Sequence, residues 1–235
     1  MTIDYALEQF IYGIPVTQNG TDVNDAPLEG TGADILAITE GLSTEDAILC
    51  RSLTSTEPLP VDDNTYSEAV GIFKGTGETY ILARANYREN DPALPVYQYV
   101  LIPQEVLQGI SGNIKSLIEI TDSNINGLTG THQPLEPLAL PPVPTLMGDR
   151  RTVMFERVLN MLDGDFNRLL MMLDMALSDD SIQIVNHPAR ISSRLDLLEA
   201  LMLLLPPASR PELTFTTYSN NPDFSRVAVI FSDEP

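Results

Sequence analysis

One cysteine, two histidines and no tryptophan stand in a chain of 235 residues. A single thiol, Cys50, excludes an internal disulfide. It sits in the helix-like stretch STEDAILCRSL beside Ile48 and Leu49, where a small buried hydrophobe is expected rather than a nucleophile. The histidines, His132 and His187, lie 55 positions apart, both in proline-adjacent loops. Zinc needs clustered histidine, cysteine or carboxylate ligands, so no zinc site is expected.

Positive charge is scarce. Thirteen lysines and arginines face 33 acids, for a net charge of −20. Phosphates need a basic face, which argues against direct binding of nucleic acid. The same imbalance argues against an anionic membrane surface. Long apolar runs are missing too: the longest, Ala200 to Leu205, is far short of the ~20 residues of a membrane span. No signal peptide precedes the first acid, Asp4, and the expectation is a cytoplasmic chain without a membrane span.

What is present suffices for a core. Hydrophobic residues make up 43% of the chain, which argues against wholesale disorder. The length allows one large domain or two small ones. The acidity is uneven: residues 1–110 carry 17 acids and 4 bases, whereas residues 151–235 carry 12 and 7. A basic partner for the first half and a solvated acidic surface are competing readings of that asymmetry.

The patterning predicts strands at 5–16, 33–39, 67–74, 78–87 and 95–103. Gly75-Thr76-Gly77 between the third and fourth of these is a hairpin signal. In the strand at 95–103, Val96, Gln98, Val100 and Ile102 alternate with Tyr97, Tyr99 and Leu101. Both faces are apolar or aromatic apart from Gln98, so the strand is expected to be covered on both sides. A helix begins at Ser43, an N-cap followed by Glu45 and Asp46, and runs to about Leu53. Short helices are expected at 104–110 and 113–120. Five prolines between Pro134 and Pro144 exclude regular helix over 121–148 and predict an extended connector that packs on the body through Leu138, Leu140 and Val143.

Beyond it, helices are expected at 152–162, 165–177 and 191–205, with a short strand at 181–185 between the last two. Pro206-Pro207 stops the last helix, Arg210 sits in the turn, and strands at 213–218 and 225–233 form an expected second hairpin. Nine of the twelve residues from Phe166 to Leu177 are apolar, so this helix is either buried or shared with a partner. Its methionines Met171, Met172 and Met175 are the candidate interaction surface, with plain core packing as the competing reading.

The search for chemistry is mostly negative. Asp22, Asn24, Asp25 and Glu29 are spaced somewhat like a calcium loop, but Pro27 occupies the position that needs glycine. The lysine and glycines of FKGTGET join two strands and are not in phosphate-loop order. No GxSxG elbow is present around Ser111. A polar site assembled from distant residues would draw on Arg84, inside an apolar strand, and on His187 and Asp196. Arg84 either pairs with a buried acid or projects towards a ligand.

Three blocks carry a family resemblance. IYGIP followed by DILAITEGLS, then YILARANYREND with YQYVLIPQEVL, and then residues 197–219 with LLPP, Arg210 and LTFTTY resemble the N-terminal and middle region of the bacterial GTPase-associated protein family. Such proteins usually carry more glycine and a histidine in the strand at 95–103, where this chain has Tyr97-Gln98-Tyr99-Val100. The resemblance implies a non-enzymatic adaptor encoded beside small GTPases or other NTPases in bacterial conflict and signalling systems. It carries over no catalytic residue, and no cofactor or metal is implied.

The expected fold is α+β: a mostly antiparallel sheet with short helices over 1–125, a connector at 126–148, and helices with a hairpin over 149–235 that pack with the first part as one body. The expected function is protein interaction, with a GTPase, another NTPase or further subunits as partner. A ligand-sensing or hydrolytic domain built on Arg84, His187 and Asp196 is the alternative from chemistry, and a structural subunit of a larger assembly is the alternative from architecture.

Overall fold

The hydroxyl of Ser43 accepts the Asp46 amide at 3.1 Å and starts α1 (Thr44–Ser52) where its acidic first turn suits the helix dipole. In this computed structural model the described residues are 5–13, 33–53, 68–88, 91–122, 131–142, 148–178, 180–185, 188, 190–219 and 227–232. The acidic loop with Asp22, Asn24, Asp25 and Glu29 lies outside them, as does His187.

Over its described residues, 5–13, the strand expected at 5–16 is two strands broken at Glu8. β1 (Tyr5–Leu7) leaves the main sheet, while β2 (Gln9–Gly13) stays in it beside β3 (Asp34–Thr39). β4 (Glu68–Lys74) and β5 (Thr79–Arg88) form the expected hairpin, antiparallel from Glu68↔Asn86 to Lys74↔Tyr80. Gly77 holds φ at +60° in its turn, a conformation that favours glycine. β6 (Asp91–Pro103) begins earlier than its pattern suggests and pairs with both β5 and β2. It runs straight into α2 (Gln104–Gly109), which is followed by α3 (Ile114–Ile120).

The proline-rich connector is partly strand. β7 (Gln133–Leu135) adds in parallel to β3 at the edge of the sheet, where Pro134 need not supply a ladder donor on both sides. β8 (Leu138–Leu140) pairs with β1 as a separate two-stranded ribbon and buries Leu140.

The second half holds α4 (Gly148–Met161), α5 (Phe166–Leu177), β9 (Ile182–Ile184), α6 (Ile191–Leu204), a 3-10 turn at Arg210–Glu212, β10 (Phe215–Thr216) and β11 (Val229–Phe231). The expected hairpin here is not formed. β10 and β11 are parallel, Phe215 opposite Val229 and Thr216 opposite Ile230. The two strands lie too far apart in sequence for a tight hairpin turn, and parallel neighbours need a longer crossover. β11 pairs in turn, also in parallel, with β9.

The fold is α+β, with a mixed nine-stranded sheet ordered β7-β3-β2-β6-β5-β4-β10-β11-β9. β10 joins the C-terminal strands to the first half by pairing antiparallel to β4. That contact is close: a Cβ on Gly71 would lie 2.6 Å from the Phe73 ring and 2.9 Å from the Phe215 carbonyl oxygen. Both sheet faces are covered, as the β6 pattern predicts. Val100 and Ile102 join a core formed with α2, α3, α4, α5 and α6, while Tyr99 packs with Phe10, Ile81 and Cys50 on the α1 side. α6 is the central helix, buried continuously from Arg194 to Met202.

Candidate functional site

α3 is a short helix gripped at both ends, and the two described residues of the expected polar site sit at opposite ends of it. At its C-terminus, Arg84 reaches up from β5 and donates to the Ile118 carbonyl and to the Asp122 carboxylate. Next to it across the strand pair is Gln98, which donates to the Thr121 carbonyl at 2.9 Å and to Gln9 Oε1 at 3.2 Å. The last carbonyls of a helix lack partners within it, and a cation there also suits the dipole. Arg84 and Gln98 supply those partners from the sheet below.

At the N-terminus of α3, Asn113 accepts the Ser116 amide, and Glu199 of α6 accepts the Lys115 amide at 2.8 Å. The Lys115 ammonium donates to Asp196, one turn earlier on α6, and Arg157 of α4 lies 3.9 Å from the same carboxylate. Burial pushes the Glu199 carboxyl above its ordinary range. The Lys115 amide and charge oppose that rise, and the Asp196 charge adds to it.

Arg84 is 4% exposed and Asp196 7% exposed; both Nη atoms of Arg84 and both carboxylate oxygens of Asp196 are engaged in these anchoring contacts. A general base needs a lone pair aimed at an open volume that a substrate can enter. Among the described residues no group of three or more histidines, cysteines or carboxylates is placed to hold a metal ion. A narrow pocket between α2 and α6, lined by Ile72, Leu107, Gly112, Met202 and Leu213, also includes Arg210. That guanidinium donates to the carbonyls of Leu203, Leu205 and Ser111, which end α6 and tie it to the α2–α3 turn.

Two anchors have no counterpart in the sequence reading. Arg194, 1% exposed, donates to the carbonyls of Pro188 and Thr217 at 2.7 and 2.6 Å. Glu199, 3% exposed, caps α3. A signal for both exists in ISSRLDLLEALMLL: the helix is apolar nearly all round, so its three charges have no wet face to occupy. Cys50 is fully buried, and its thiol is pushed up to about 12, by burial first and the Asp46 charge second.

Residues 155–234 match the family model described as GTPase-associated protein 1, middle domain. This segment is similar to the middle domain of the GTPase-associated protein family. It starts inside α4, covers about a third of the chain and contains the third of the three resembling blocks. No curated protein matches the chain, and no solved structure does.

Within the middle-domain segment, the LTFTTY block is a packing device. Thr217 exchanges backbone and side-chain hydrogen bonds with Val70, and Phe215 is fully buried. The apolar α5 divides its residues between two environments. Leu169 is fully buried, and Met172, Leu173, Met175 and Ala176 pack partly buried on the core. Of the three methionines expected at an interaction surface, only Met171 is largely exposed, at 59%. Phe166, Leu170 and Leu177 are exposed with it, at 43, 42 and 54%. No described helix is long and apolar enough to cross a membrane.

Proposed function

We propose that this chain is a non-catalytic adaptor that binds a GTPase through its middle-domain segment and couples it to further proteins. The observation that carries this reading is the match of residues 155–234 to GTPase-associated protein 1, middle domain. Two features of the molecule support it. Among the described residues, the buried charges Arg84, Asp196 and Glu199 act as tethers for α3. The matched segment also turns large apolar side chains outward, which monomeric proteins tend to reserve for contacts. Binding would then follow from apolar burial on a helix face, with the acidic surface selecting the partner. A cytoplasmic setting in a bacterial defence or signalling system goes with this reading.

The test is direct binding. The full chain, immobilised, is offered GTPases encoded beside its gene, each loaded with GDP or with a non-hydrolysable GTP analogue. A complex in one nucleotide state, without any change in bound nucleotide, is the expected result. Failure to bind any of them in either state, together with turnover of a small-molecule substrate, overturns the adaptor reading.

A further inference from the structure

α5 presents a narrow apolar flank. At ~100° per residue, Phe166, Leu170 and Leu177 fall within about 40° of one another around the helix, beside the partly buried Leu173. They run along about 16 Å of helix, roughly three turns. The inner stripe, Leu169, Met172, Leu173 and Ala176, already satisfies the core. The outward flank is therefore surplus to the packing of α5 and stands half in water.

Charge says what could cover it. Asp174 lies next to the flank, between the Leu170 and Leu177 turns, and is exposed. Asp163 and Asp165 precede the helix, and the exposed Asp180 follows it. Arg168 is the helix's one base, and it lies on the opposite side, within 4 Å of Asp163 and Asp165. An apolar stripe with an acidic border fits a cationic amphipathic partner. A second copy of this chain fits badly. A two-fold contact would set Asp174 and its neighbours against the same acids, on a chain of net charge −20. A single three-turn flank is also small beside the ~1,600 Å² of a standard stable interface.

We propose that the Phe166–Leu170–Leu177 flank of α5 is a docking strip for an amphipathic helix of a partner protein whose apolar side is bordered by lysine or arginine. This names the surface and partner chemistry of the adaptor reading above and rests on it. The mode is helix against helix, with apolar side chains at i, i+4 and i+7 on the partner meeting the strip. Cations on its border would face Asp174 and Asp180.

The test uses the full chain and two labelled helical peptides of one leucine pattern, bordered by lysine in one and glutamate in the other. Fluorescence anisotropy is measured with the wild type, with the double variant Leu170→Ser/Leu177→Ser, and with Asp174→Lys. All these positions are exposed, and circular dichroism checks the fold of each variant. The lysine peptide is expected to bind the wild type and to lose about tenfold in affinity in each variant, with no binding of the glutamate peptide. Equal binding to wild type and both variants would mean general attraction to an acidic protein and would overturn the proposal. Absence of binding to the wild type overturns it too. Sedimentation showing a dimer that the serine variant abolishes would make a second copy the occupant, again against the proposal. A GTPase complex that survives the serine variant removes the strip but leaves the adaptor reading intact. Peptide binding without any GTPase complex does the reverse.

Discussion

The Glu199 carboxylate of α6 accepts the Lys115 backbone amide of α3 at 2.8 Å, so one helix is capped by a buried acid of another. This relationship has a pH signature. Burial raises the folded-state pKa of Glu199 above its ordinary 4.5. A raised acid pKa contributes stability that is fully present below the unfolded value and is lost as pH rises through the folded value. Chemical denaturation between about pH 4 and pH 8 should therefore show the wild type losing a stability component that Glu199→Gln does not lose. Glutamine keeps an acceptor for the amide and has no proton to give up. The gap between the two proteins should shift in favour of the variant as pH rises. A gap that does not change with pH would mean that Glu199 titrates normally.

Arg84 and Asp122 form an unequal pair. The arginine side chain is 4% exposed, whereas the aspartate is 63% exposed. Arg84→Met takes the guanidinium donor from the buried Ile118 carbonyl, leaving it the shared Thr121 hydroxyl at 3.3 Å, and should cost about 3 kcal/mol in urea denaturation. Arg84→Lys should rescue little, because an ammonium cannot present the guanidinium fork to both acceptors. Asp122→Asn keeps an oxygen acceptor at a wet site and should cost less than about 1 kcal/mol. An Arg84→Met variant as stable as the wild type would free Arg84 for ligand binding and revive the sensor reading.

Cys50 should be silent in the folded chain. Its thiol is fully buried and pushed up to about 12, so almost none is thiolate near neutrality. A chromogenic disulfide reagent at about pH 8 should label no thiol in the native protein and one per chain in guanidinium. Rapid labelling under native conditions would show that α1 opens readily from the sheet face it covers.

The regular elements were legible because their signals are local. The Ser43 cap, the glycines between β4 and β5, and the alternation in β6 each act within a few residues. Gln98, the one polar break in the β6 pattern, marked a buried contact whose partners, Gln9 and Thr121, lie 89 and 23 residues away. Helices 166–177 and 191–204 were readable from apolar density alone, though not which side of each meets the core. The hairpin expected at 213–233 failed for a related reason. Two β-rich segments announce themselves locally, but their relative direction depends on the path of the chain between them and on the strand that waits beside them.

By itself the sequence determined an acidic α+β chain with a single thiol, a proline-stopped helix and a family resemblance at 197–219. It determined these because composition, capping and periodicity are properties of neighbouring residues. The tertiary structure alone decided that Arg84 and Asp196 grip opposite ends of α3 rather than share a site. It also decided that Met172 and Met175 turn inward while Leu170, Met171 and Leu177 face water. Those outcomes follow from which surfaces the sheet and the central helix α6 leave uncovered, and no local pattern encodes that competition for buried area.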